Sequence, residues 1–416
     1  MRPDAGPSYA DVVTTPPIPS PVSAEEVAVT RRPVDQARLL PPHVFHDPQV
    51  FDYELRAWFE RSWLCVGREE DVVEPGSYLL ARLPTESAIV IRDRQGELHA
   101  LSNVCRHRGS TIIDEPQGRA VRLQCPYHAW IYDLDGTLLR APHTSEITDF
   151  DTADHGLRRL LLGTWQGFVF VNFDVSAAPL TEHLADLPPL VAGHAPAGLR
   201  RARRIEYDVR ANWKVIAENY SECYHCPGVH PQLNRLTPYD RGRNFESNGP
   251  WAGGWMELID DAETMSTNGH THGRPPLPGL SAEDQRRIYY FVLWPNLLIS
   301  LHPDYVMTHQ VWPFEPGRSR VVCEWLFDPQ VMAAPGFDPS DAIEFWDLTN
   351  RQDWAVCERQ QQGTRSAHYT AGRYSLMEDM VHAFDLMVAD RYAGDGVVTR
   401  FGPRHDKWSD APRRRG

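Results

Sequence analysis

The chain has 416 residues, enough for two or three domains, and its apolar (42%) and charged (24%) fractions are those of a soluble globular protein. A formal charge of −14 argues against a nucleic-acid partner, and no run approaches the roughly 18 apolar residues of a membrane helix. No apolar signal region follows a basic start, so the expected location is cytoplasmic, with Cys65, Cys223, Cys226, Cys323 and Cys357 as reduced thiols.

Residues 1–35, rich in Pro, Ser, Ala and Val without helical or strand period, are expected to form a disordered arm. Phe51, Leu55, Phe59 and Trp63 recur every four residues, which predicts an amphipathic helix from Pro48 to Trp63; the segment 36–64 that carries it is expected to pack on the larger C-terminal region. The next segment, 65–175, changes to a period of two. Residues 88–91 and 98–101 flank a turn at 93–96, Ile131–Leu134 precedes Asp135-Gly136, and Phe168–Phe173 reads as a buried strand.

Two cysteine–histidine pairs fall in loops of this β segment, Cys105-Arg106-His107 and Cys125-Pro126-Tyr127-His128. Two thiolates on one iron and two neutral imidazoles on the other are the ligand set of a Rieske-type [2Fe–2S] cluster, in which the imidazoles raise the reduction potential. A structural Cys2His2 zinc site is the alternative. Cys223 and Cys226 form a C-x-x-C without the βαβ surroundings of a redox disulfide, and reduced thiols are expected there.

Residues 176–416 are a longer mixed region. Tyr289–Trp294, Leu297–Leu301 and Ser319–Phe327 read as antiparallel strands, and Ser340–Gln362 as a long helix ended by Gly363. There is no G-x-G-x-x-G and no phosphate loop, so the chain is expected to carry neither its own nicotinamide site nor its own flavin site.

His225 and His230 would lie about 140° apart on a straight helix, but Pro227-Gly228 breaks it and lets His230 turn back. Two imidazoles and one carboxylate make the facial triad of non-haem Fe(II) oxygenases. In the 340–362 helix, Asp353 shares a face with Trp346, Thr349, Val356, Cys357 and Gln360 and is the favoured carboxylate; Glu358 is the reserve and Asp347 keeps polar company.

Cys105, His107, Cys125 and His128, followed by Glu222-x-x-His225-x4-His230 and Asp353, resemble the catalytic α subunit of Rieske non-haem iron oxygenases. The resemblance implies an α+β fold. A small all-β [2Fe–2S] domain would precede a catalytic domain built on a curved antiparallel sheet covered by helices, of helix-grip (START-like) type. It further implies a homotrimer, mononuclear Fe(II), O2 as cosubstrate, and NAD(P)H acting only through a separate flavin or ferredoxin-type reductase. Within that family Glu222 would bridge His225 to His128 of the neighbouring subunit, and Asn219 joins the catalytic set.

The stretch Asn219–Cys226 looks like that of betaine, choline and carnitine oxygenases, which implies N-demethylation of a quaternary ammonium compound by a monooxygenase; ring hydroxylation is the alternative. Trp251, Trp255, Tyr289, Phe291, Trp294 and Tyr305 are candidates for a cation pocket, and the acidic stretch Glu257–Asp261 for its counter-charge.

Overall fold

Residues 18–395 are described by the computed structural model. From residue 18 the expected arm is corrected: Val22, Val27 and Val34 are buried, and Arg31 pairs with Asp390 at 2.8 Å. The segment runs as turns, so it has no period to read, and each apolar residue is placed by the surface it covers. Residues 1–17 lie outside the described residues.

Asp47 caps the first helix, α1 (Pro48–Ala57), by accepting from Gln49 N. The helix is shorter than its spacing predicts. Phe51 and Leu55 are buried on it, whereas Phe59 sits on a separate 3-10 turn and Trp63 enters a different core.

The β segment contains β1 (Leu64–Arg68), β2 (Ser77–Arg82), β3 (Ser87–Arg92), β4 (Leu98–Ser102), β5 (Gln117–Arg119), β6 (Leu123–Gln124), β7 (Ile131–Tyr132), β8 (Leu138–Arg140), β9 (Leu161–Trp165) and β10 (Phe168–Asn172). They form three antiparallel sheets, ordered β4-β3-β2-β5, β6-β7-β8 and β1-β10-β9. The expected β3–β4 hairpin is present, with Gly96 at φ +90° in its turn, a region open to Gly at little cost. Ile89, Ile91, Leu101, Trp130 and Tyr132 form the core beneath the two Cys-His loops.

The second half is organised by one seven-stranded antiparallel sheet. Its strands are β11 (Arg200–Val209), β12 (Gly242–Asn244), β13 (Trp251–Glu257), β14 (Arg287–Leu293), β15 (Leu297–Leu301), β16 (Val306–Glu315) and β17 (Arg318–Phe327), in the order β11-β17-β16-β15-β14-β13-β12. Alternation divides this sheet cleanly. Trp251, Tyr289, Phe291, Leu293 and Ile299 pack on one face with Leu180, Leu184 and Phe170. Ala252, Ile288, Val292 and Leu298 face the other way, toward the helices.

Those helices are α2 (Trp213–Tyr220), the short α3 (Cys226–Val229) and α4 (Pro231–Leu236), the long α5 (Ser340–Gly363) and α6 (Asp379–Ala393). The α5 stripe Phe345, Trp346, Thr349, Asn350, Cys357 and Gln361 is buried. Gln360 Nε2 donates to Glu218 Oε2 at 3.2 Å, which ties α5 to α2. No described helix is long and apolar enough to cross a membrane.

Candidate active site

The two Cys-His loops have the same backbone design. Cys105 N donates to Ser110 O (2.9 Å) and Gly109 N to Cys105 O (3.1 Å); Cys125 N donates to Trp130 O (2.8 Å) and Ala129 N to Cys125 O (3.2 Å). The residue four past each cysteine takes a left-handed conformation, Gly109 at φ +74° and Ala129 at φ +54°. Both cysteines are buried and their histidines lie on the solvent side, with the two Nδ1 atoms 3.2 Å apart.

Ligands of one tetrahedral ion would all lie within about 4 Å of one another. Among the described residues only His225, His230 and Asp353 form a group of three or more ligand atoms within 4.8 Å. The four Cys and His side chains therefore suit a group wider than a single zinc ion, with sulfur donors on the buried side and nitrogen donors on the wet side. Two residues missed in the sequence complete this loop pair. Tyr132 OH accepts from Arg106 N at 3.0 Å and lies 3.2 Å from Cys105 Sγ, to which it can donate. The Trp130 ring stacks on His107 at 5.0 Å and 7°. Only Tyr132's place in the period-two pattern, facing inward beneath the loops, could have singled it out.

The second constellation forms where α2, α3 and α5 meet. After α2 ends, Cys226 N donates to Cys223 O and His230 N to Cys226 O, so the chain doubles back as the Pro-Gly break requires. His230 Nε2 then lies 3.1 Å from His225 Nε2 and 2.7 Å from Asp353 Oδ1, and His225 Nε2 lies 3.2 Å from the same oxygen. Three donor atoms of types N, N and O thus converge, the right chemistry for one divalent iron with open positions.

The two imidazoles are held from behind by different partners. Glu222 Oε1 accepts from His225 Nδ1 at 2.5 Å, and Gln352 Oε1 accepts from His230 Nδ1 at 2.7 Å. Gln232 Nε2 in turn donates to Gln352 Oε1 at 2.7 Å. Gln352 was missed because an amide beside the ligand Asp carries no distinctive spacing. Burial would depress the His225 imidazole, but Asp353 and Glu222 outweigh it and hold its pKa up at about 10. The same negative field would stabilise a bound metal cation.

The reserve carboxylate is elsewhere: Glu358 pairs with Arg210 at 2.9 Å, while Asp347 accepts from Tyr207 OH at 2.7 Å. Cys223 and Cys226 are joined by a disulfide, which corrects the expectation of reduced thiols. The tight turn between α2 and α3 brings their Cα atoms to 4.9 Å, well within disulfide reach, around the loop that carries Glu222 and His225.

A relative from Chromohalobacter salexigens, the glycine betaine monooxygenase oxygenase subunit, is 30% identical over 400 residues, covering 88% of this chain and 89% of its own. The chain belongs to the Rieske non-haem iron oxygenases. The Rieske [2Fe-2S] domain family matches residues 62–151 of the oxygenase, and the family "Ring hydroxylating alpha subunit (catalytic domain)" matches residues 196–394. A Rieske cluster and a mononuclear iron are the cofactors these two domains imply. The quaternary ammonium Rieske monooxygenase CntA, solved with an inhibitor, aligns at a TM-score of 0.75 and 25% identity, covering 89% of this chain and 99% of its own. Naphthalene 1,2-dioxygenase from Rhodococcus shares the fold at a TM-score of 0.73 and 19% identity, covering 90% and 97%.

In this oxygenase a cavity of about 610 Å³ opens on His225, His230 and Asp353, with Asn219 in its wall. Its aromatic lining corrects the sequence candidates. Trp255 reaches it, but Trp251, Tyr289, Phe291, Trp294 and Tyr305 do not; Tyr220, Tyr239, Tyr290, Trp346 and Trp354 do. Strand parity explains the exchange: Tyr289 and Phe291 point into the far core, so Tyr290 between them must point at the helices and the cavity. Glu257, Asp260 and Asp261 are exposed and do not line the cavity. His309 also lines it, fully buried, with its pKa pushed down to about 4 by burial.

Proposed function

We propose that this chain is the terminal oxygenase of a two-component system that removes an N-methyl group from a quaternary ammonium or betaine-like compound. The observation that carries this reading is the aromatic wall of the cavity, with Tyr220, Tyr290, Trp346 and Trp354 beside the His225–His230–Asp353 triad. Ring faces within about 6 Å of a cation attract it, and a quaternary ammonium, having no N–H, suits recognition by π faces. The named activities of the glycine betaine relative and of CntA support the same substrate class.

His225, His230 and Asp353 would hold the mononuclear iron, and Cys105, His107, Cys125 and His128 the [2Fe–2S] cluster. When bound, the iron supplies the redox chemistry of O2 and the cluster supplies single electrons originating from NAD(P)H through a separate reductase. Glu222 fixes the His225 ring through Nδ1 and, in a homotrimer, would link it to His128 of the neighbouring copy. The aromatic wall places a methyl group toward the triad and excludes water from it. In balance, one oxygen atom enters a methyl C–H bond, and the other leaves as water with two electrons and two protons. The C–N bond of the N-hydroxymethyl product then breaks, giving formaldehyde and the protonated amine. We place the enzyme in the cytoplasm, where its reductase and NAD(P)H would be found.

The test is turnover of a panel of N-methylated and aromatic compounds with a surrogate reductase, following O2 uptake and formaldehyde together. Formaldehyde released in step with O2 uptake on a trimethylammonium compound is expected. Uptake driven by an aromatic compound, with a hydroxylated ring and no formaldehyde, would replace the reading with ring hydroxylation.

A further inference from the structure

The cavity wall contains one carboxylate that has no place in the metal site. Asp379 opens α6, and its Oδ1 accepts from Asn244 Nδ2 at 2.6 Å and from Met380 N at 3.0 Å. No described residue donates to Oδ2, no described basic side chain pairs with Asp379, and the residue lines the 610 Å³ cavity. Burial holds this carboxyl above its usual range by disfavouring the charged form, a shift that a cation bound beside it would oppose.

The neighbouring strands are shaped around this residue. In the antiparallel register Asn244, Gly254 and Tyr290 sit side by side on β12, β13 and β14. A β-carbon at position 254 would lie 2.2 Å from Asn244 Oδ1 and 2.5 Å from the Arg243 carbonyl, so only glycine there leaves Asn244 in position to brace Asp379. Next in the row, Tyr290 OH is buried without a hydrogen-bond partner. Across the cavity His309, 2% exposed, has Nδ1 equally without one. Tyr290 and His309 line the same aromatic cavity as Asp379.

Resting on the substrate class proposed above, we infer that Asp379 determines specificity by placing its open carboxylate oxygen opposite the ammonium charge of the substrate. Aromatic faces alone discriminate weakly between a trimethylammonium group and a neutral tert-butyl group of the same shape, since both make the same apolar contacts and only the quadrupole term differs. A carboxylate in a desolvated wall adds a charge-specific term that needs no hydrogen bond.

The test is calorimetric binding to the iron-loaded enzyme of two ammonium probes, glycine betaine and choline, each against its carbon isostere, 3,3-dimethylbutanoate and 3,3-dimethylbutan-1-ol. Wild type should prefer the ammonium member of each pair, and D379N should shrink that preference at least about tenfold, through weaker binding of the cation. D379E, which keeps the charge, should retain a preference for the cation. D379N with the wild-type preference would overturn the inference, as would a wild type that does not distinguish the isosteres. Either result leaves the proposed function standing wherever wild type still releases formaldehyde from an ammonium compound; loss of that release is what removes it.

Discussion

Glu222 holds His225 twice, with Oε1 on the ring Nδ1 at 2.5 Å and Oε2 on the residue's own backbone N–H at 3.1 Å. One carboxylate thus fixes both the orientation of an imidazole and the turn from which it projects. A group that braces the ring and lies at the edge of the site is suited to carry coupling between centres as well as geometry.

Glu222→Ala is expected to keep the visible spectrum of the cluster and most of the mononuclear iron while turnover falls by about 100-fold or more. Metal quantitation alongside O2 uptake checks this. Wild-type turnover in the variant would remove Glu222 from the electron path.

Gln352→Ala should loosen His230, whose Nδ1 has Gln352 Oε1 as its acceptor. Iron retention during dialysis against a chelator should drop by about 10- to 100-fold, the usual cost of losing an outer hydrogen bond to a ligand imidazole. Glu358→Ala is the contrast. Its partner Arg210 is 77% exposed, so the variant should hold iron as wild type does and lose no more than about 1 kcal/mol of stability.

Tyr132→Phe removes a hydroxyl 3.2 Å from Cys105 Sγ. Hydrogen bonds to ligand sulfur raise a cluster's reduction potential, so the potential of the variant should be lower, as read by spectroelectrochemistry. An unchanged potential would mean that the hydroxyl serves Arg106 N alone.

A buried acid pair beneath the site sets a pH dependence of stability. Glu218 and Asp385 are buried together, and Tyr374 OH donates to Asp385 Oδ2 at 2.5 Å. Burial is the main force lifting the pKa of Asp385 to about 7, with Glu378 adding to it and Tyr374, Glu218 and Lys214 opposing it. Unfolded, the same carboxyl releases its proton near pH 4. Between those values the folded chain binds more protons, so stability falls as pH rises from about 4 to about 7. The Tm of Asp385→Asn relative to wild type should therefore rise between about pH 5 and about pH 8. A pH-independent difference would show that the carboxyl is ionised throughout.

That these side chains come together was legible from the sequence, because few arrangements suit Cys-x-His with Cys-x-x-His, or two histidines around a Pro-Gly break. Asp353 was legible because it lies on the apolar stripe of α5, continued by Trp346, Thr349 and Cys357. The cavity wall was not. Strand β14 is buried along nearly its whole length, so its composition marks a strand without marking which alternate residues face the cavity. The stretch from residue 18 to 35 was hidden because Val22 and Val27 are buried by tertiary contact within a run of turns that has no period. Helix α6 was overlooked although Met380, Val381, Phe384, Met387 and Val388 carry the helical period plainly; without it Asp379 had no element to sit on.

The division of the β13–β14 ribbon has an evolutionary corollary. Trp251, Tyr289 and Phe291 weld the sheet to the layer behind it, whereas Gly254 and Tyr290, and Trp255 near the strand end, line the cavity. Point replacements at the cavity-lining positions can reshape the cavity while the frame behind it stays intact. A single inserted residue would trade the two populations at one stroke and ruin both. Diversification in such an enzyme is thus channelled into substitution, so architecture can persist while substrate choice drifts.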